Sequence, residues 1–98
     1  MPLTDTNLLL WRPHPSEYLG GVQRIYRFPG GYGLSLINSP KLHFYTFAWE
    51  AAVLRGVQDD GTFESLCYDT PLTNDVAVFD TEEETNAFIA RAAELLSR

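Results

Sequence analysis

Imidazole and thiol chemistry in this sequence is confined to His14, His43 and Cys67. None of the three stands at the paired spacing of a zinc or transition-metal site. Cys67, between Leu66 and Tyr68, falls in a predicted strand, where a small buried thiol is the usual outcome. As a nucleophile it would need a lowered pKa and a neighbouring base. His43 is the one candidate base, and no third group is in view to orient it. Asp59-Asp60-Gly61 superficially suggests calcium, but the alternating acids and closing glutamate of an EF-hand loop are missing. The segment reads as a hairpin turn. Pro29-Gly30-Gly31-Tyr32-Gly33 would cradle a phosphate only if it opened a helix. The next residues read as strand, and neither the Walker nor the Rossmann spacing is present. The carboxylates are numerous, yet nothing singles out an acid–base pair. No catalytic constellation and no cofactor are therefore expected.

Ligand binding has better material. Arg24, Arg27 and Tyr32 cluster around the first predicted hairpin with Tyr26 and Phe28, and Trp49 comes after Tyr45 and Phe47 on the next strand. Aromatics beside arginines can stack a base and pair its phosphate. Arg24, Arg27, Tyr32 and Trp49 are the candidate ligand residues, acting across an oligomer interface. The plainer reading is that the aromatic stripe is core, because a small sheet needs large side chains to fill it.

The charge is unevenly placed. The 98 residues carry a net charge of −6, but residues 1–55 hold five basic and three acidic side chains, and residues 56–98 hold two and ten. Between Arg55 and Arg91 there is no cation. Such a balance argues against direct nucleic-acid binding, which rests on basic surface. Asp59, Asp60, Asp75, Glu82, Glu83 and Glu84 are the candidate contacts for a basic protein partner, which such a surface would steer. Turn and helix-start preferences explain many of the same acids locally. The apolar runs are too short for a membrane span and no secretory signal opens the chain, so a cytoplasmic protein is expected. A single cysteine fits a reducing compartment.

These groups must be positioned by a small α+β domain spanning 1–98. Residues 1–21 read as an irregular arm, because Arg12-Pro13-His14-Pro15 discourages regular structure; Leu8 to Trp11 is apolar enough for a short edge strand. Val22–Phe28 and Leu34–Asn38 read as strands around the glycine turn. Residues 43–55 read as one long strand with Tyr45, Phe47, Trp49, Ala51 and Val53 on one face, though Trp49–Leu54 also suits a helical turn or two. Phe63–Tyr68 and Val76–Phe79 complete an antiparallel sheet of four to five strands across residues 22–79. Thr81-x-x-Glu84 is a capping box that opens a helix of about 82–97. Glu82, Glu83 and Glu84 suit its positive end, and Arg91 and Arg98 lie toward the other. Its stripe of Phe88, Ile89, Ala92, Leu95 and Leu96 should lie on one face of the sheet.

Tyr26-Arg27-Phe28 running into Gly31-Tyr32-Gly33, then Trp49-Glu50-Ala51-Ala52-Val53-Leu54, then Cys67-Tyr68-Asp69-Thr70-Pro71, resemble a group of short uncharacterised proteins from bacteriophages and prophages of Gram-positive bacteria. The resemblance covers roughly residues 22–80. The chain departs from the group just before Gly-Tyr-Gly, where Pro29-Gly30 replaces a polar residue. The resemblance implies a phage origin, a host-cytoplasmic location and no known activity. Three functions are then expectations. The first is a non-enzymatic acidic inhibitor or modulator of a host or defence protein. The second is a protein that binds or sequesters a nucleotide-like molecule. The third is a phage structural or assembly protein, in which Leu8–Trp11 reaches a neighbouring copy.

Overall fold

The computed structural model describes residues 3–13, 21–38, 49–67 and 77–97. They form six antiparallel strands, β1 (Leu8–Pro13), β2 (Val22–Arg27), β3 (Tyr32–Asn38), β4 (Trp49–Arg55), β5 (Ser65–Cys67) and β6 (Ala77–Phe79), and then one helix, α1 (Glu82–Leu96). The sheet order is β1-β2-β3-β4-β5, and β6 also pairs with β4. Register explains how two strands share that edge: Trp49–Ala51 pair with β6, and Val53–Arg55 pair with β5. The α+β class with a helix packed on a sheet is as expected. No helix among the described residues is long and apolar enough to cross a membrane.

The period of two assigns the faces. Tyr26, Leu34, Leu36, Trp49, Ala51, Val53 and Cys67 point to one side and pack with Ile89, Ala92 and Leu96 of α1. Burying a side chain such as Ile89 or Leu96 stabilises by about 1.5–3 kcal/mol. This alternation settles Trp49–Leu54 as strand and not helix, since Trp49, Ala51 and Val53 are all needed under α1. The other side holds a smaller cluster of Ile25, Leu54 and Val57, with Leu9 and Leu10 against it.

That second side is closed by the β4–β5 connection. The expected Asp59-Asp60-Gly61 turn is present as a three-residue loop: Gly61 N–H donates to the Gln58 carbonyl at 3.0 Å, and Gln58 N–H to the Thr62 carbonyl at 2.8 Å. Gly61 has φ of +87°, the left-handed residue that such a loop requires. The glycine turn between β2 and β3 is also as read, with Pro29 and then Gly30 at φ +102° after Phe28, and Gly31 N–H donating to the Phe28 carbonyl at 3.3 Å.

Within the N-terminal arm, otherwise read as irregular, the short edge strand suggested by Leu8 to Trp11 is present. Residues 8–13 are a sheet strand, and Leu3 is buried in the helix-side core. A register shift between Leu8 and Leu10 makes this possible. Leu8 packs on the helix side while Leu9 and Leu10 both pack on the hairpin side, so a run of leucines that alternates poorly still serves both faces. Pro13 is tolerated because β1 is an edge.

Thr81 caps α1, its hydroxyl accepting from Glu84 N–H at 3.1 Å. The last turn carries no basic residue, because Arg91 lies more than a turn before Leu96; Arg98 is outside the described residues. Thr85 joins the buried stripe, which its polar type conceals in the sequence, by donating its hydroxyl to the Thr81 carbonyl at 2.8 Å.

Gly33 is required by space and not by φ. A Cβ there would stand 2.2 Å from the Tyr26 carbonyl oxygen and 2.8 Å from Val57 Cγ2. Gly33→Ala is expected to destabilise the fold by about 1–3 kcal/mol, the usual range for overpacking, read as a lowered urea midpoint at unchanged m-value.

Candidate functional site

Four strands contribute one side chain or more to a groove on the helix side of the sheet. It is lined by Trp11 of β1, Val22 and Arg24 of β2, Asn38 of β3 and Trp49 of β4, and encloses about 220 Å³. The register builds it directly. Trp11 stands opposite Arg24, and Asn38 stands opposite both Val22 and Trp49. Arg24 and Asn38 are thus diagonal neighbours, on the order of 7–8 Å apart at the backbone, with an indole beyond each of them. Trp49 is 7% exposed and Trp11 is 65% exposed, so one indole is a buried wall and the other an open one.

Two donors in this groove are buried without a hydrogen-bond partner, Arg24 Nε and Asn38 Nδ2. Asn38 is only 6% exposed. An unpaired buried donor costs about 1–3 kcal/mol and is rare in folded proteins. The rest of Arg24 is tightly held. Its Nη2 makes a salt bridge to Asp5 Oδ1 and donates to the Thr4 carbonyl at 3.4 Å, and its guanidinium lies 5.8 Å from the Tyr26 ring centroid. Tyr26 Oη donates to the same Thr4 carbonyl at 2.7 Å, and Thr4 N–H donates to Asn86 Oδ1 of α1 at 2.8 Å. Burial is the main cause that pushes the Tyr26 phenol above its ordinary pKa. The segment from Leu3 to Asn7 therefore clamps the arginine through Nη2, and Nε stays buried without a partner in a residue that lines the groove.

The four expected ligand residues separate into two sets. Arg24 and Trp49 meet in the groove. Arg27 points to the hairpin side, where its Nη1 bridges Asp59 Oδ1 at 2.5 Å. Tyr32 is at the opposite end of β3 from Asn38, with the Arg55 guanidinium 5.9 Å from its ring centroid. Trp11 and Asn38 complete the groove and are not among the residues that the sequence singles out. In the sequence alone Trp11 falls in the irregular arm, and Asn38 reads as the end of a strand.

The acidic residues also separate. Asp59 and Asp60 lie in the hairpin-side loop, whereas Glu82, Glu83 and Glu84 begin the helix on the other side of the sheet. Asp75 lies outside the described residues, as do His14, His43, Tyr45 and Phe47. Asp60 accepts from Thr62 Oγ1 at 2.7 Å and from Thr62 N–H at 3.0 Å. The hydroxyl first, and then the amide, hold its carboxyl below the usual range. Cys67 is buried, with Arg55 Nη2 donating to its Sγ at 3.6 Å. Hydrogen bonding to Tyr32 is the main cause that raises the Arg55 pKa further.

Compared with family models, with curated proteins and with solved structures, the chain shows no match.

The depressed pKa of Asp60 makes a signed prediction. Its contribution to stability is present above the unfolded carboxylate pKa and is lost as pH falls through the folded value. Carbon-detected NMR titration should find the Asp60 carboxyl below the ordinary aspartate value. Thr62→Ala should return it toward the ordinary value; an unmoved titration would show that the Thr62 hydroxyl is not the cause.

Proposed function

We propose that this protein is a non-enzymatic binding protein that holds a small ligand in the groove of Trp11, Val22, Arg24, Asn38 and Trp49. The observation that supports this reading is the pair of buried, unpaired donors, Arg24 Nε and Asn38 Nδ2, on two residues that line one groove together with two tryptophans. A ligand with matching acceptors would relieve both desolvation costs at once. Apolar walls with a few convergent polar groups are the ordinary make-up of a small-molecule site.

The groove also carries its own reporter, because Trp11 and Trp49 are the two tryptophans of the chain and both line it. A panel of nucleobases, nucleosides, nucleotides and aromatic carboxylates should contain members that change the tryptophan emission. At a hundredfold excess over Kd, the same members should raise Tm by an amount on the order of 10 °C. A flat response across the panel in both measurements removes the reading.

A second reading keeps the acidic, phage-type inhibitor of a host or defence protein. In its favour, Glu82, Glu83 and Glu84 take part in neither salt bridge found among the described residues. On this reading they contact a basic partner. A triple Glu82→Lys, Glu83→Lys, Glu84→Lys variant should then lose whatever basic protein the wild type captures from a bacterial host, and high salt should release it. Capture indifferent to both changes removes the acidic surface from consideration.

A further inference from the structure

Resting on the groove reading, we infer that its ligand is recognised as an uncharged planar heterocycle bearing two hydrogen-bond acceptors, and not through a phosphate or another anion. A nucleobase or nucleoside is the representative of that class.

The charge around the groove decides between the two. A phosphate site needs a cation that is free to pair with it. Arg24 is the only charged side chain lining the groove among the described residues, and its Nη2 already bridges Asp5. Arg27, which would have been the second phosphate partner, is on the opposite side of the sheet and bridges Asp59. Among the described residues the groove offers the Nε–H of a guanidinium already salt-bridged to Asp5, together with the unpaired carboxamide NH2 of Asn38. These are directional donors with little net field. An anion buried there would be poorly compensated, whereas ring carbonyl oxygens and ring nitrogens fit without a charge penalty.

Shape agrees with charge. Trp11, Trp49 and Val22 line the groove, so it offers a ligand apolar and aromatic contact. A volume of about 220 Å³ lies below the usual 300–1,000 Å³ of sites for drug-sized ligands, which suits a single heterocycle with or without its sugar. The two donors lie on neighbouring strands at diagonal positions, so a single ring can reach both.

The test is a tryptophan-fluorescence titration of the full chain with uridine, cytidine, guanosine and adenosine, each against its 5′-monophosphate, at low and high salt. At least one nucleoside is expected to bind, its monophosphate to bind no tighter, and the affinity to be independent of salt. Arg24→Lys keeps the charge beside Asp5 but removes Nε, and should weaken that nucleoside about tenfold, as should Asn38→Leu. Asn38→Leu removes an unpaired buried donor, so Tm should hold or rise while binding falls, a combination that a merely structural Asn38 would not produce. Asp5→Asn releases the arginine's charge and should create a salt-sensitive preference for the monophosphate. Monophosphates that bind the wild type an order of magnitude tighter than nucleosides, with salt dependence, would overturn the inference and leave the groove standing. Binding by aromatic carboxylates alone would do the same. Silence from every probe, carboxylates included, would overturn both this inference and the groove itself.

Discussion

A single helix cannot roof this sheet. Side chains included, α1 is about 10–12 Å across, while five strands abreast at about 4.8 Å spacing span on the order of 20 Å. The helix covers β3 and its neighbours toward β6, and the remaining helix-side surface of β1 and β2 must be closed by something else. Part of that work falls to the segment from Leu3 to Asn7. It buries Leu3, turns at Asp5–Leu8 with Asn7 in the left-handed region at φ +66°, and is fastened to α1 through Asn86. Among the described residues, neither cover reaches the far end of the strands, where Val22, Asn38 and Trp49 pair across the sheet and the groove lies.

The same geometry accounts for the charge asymmetry along the chain. Its mildly basic first half and strongly acidic second half are partly folded against each other. Arg27 of β2 meets Asp59 of the β4–β5 loop, and Arg12 of β1 lends a smaller favourable field to Asp60. The exposed Arg27–Asp59 pair contributes little to stability, of the order of 0–1 kcal/mol. It does, however, place both residues on the hairpin side of the sheet, away from the groove. The helix start remains the place where acidic side chains face outward, and there local preference already explains them: carboxylates are favoured against the positive end of the helix dipole.

The legible part of the fold is the part whose signals are local. The strands β2 to β6 and the helix announce themselves by alternation, turn residues and the Thr81 cap, and all are readable from the residues. The β1 strand is legible only as a short apolar run fit for an edge strand, because prolines and glycines after it suggest irregularity and its leucines alternate only once the bulge at Leu9 is known. Site residues depend on register, which no local pattern specifies. Arg24 and Arg27 look like a cluster, yet an odd separation along one strand sends them to opposite faces, a separation that period-two reasoning alone could have flagged. Asn38 becomes meaningful only when its pairing with Val22 and Trp49 places it inside the groove. Asp75 and the two histidines fall outside the described residues.

The division of the β4 edge between β5 and β6 bears on strand addition at the margins of the sheet. A long, flat strand margin is a template for another chain, and native sheets blunt it. Here one margin consists of two three-residue strands laid end to end, too short to offer a continuous ladder. The other margin is β1, broken by a register shift near its start and deprived of an amide by Pro13 at its end. Among the described residues both borders of the sheet are thus interrupted. Strand addition there meets only short or broken rows of backbone groups, an arrangement that disfavours self-association through the backbone in a chain this rich in leucine and aromatic residues.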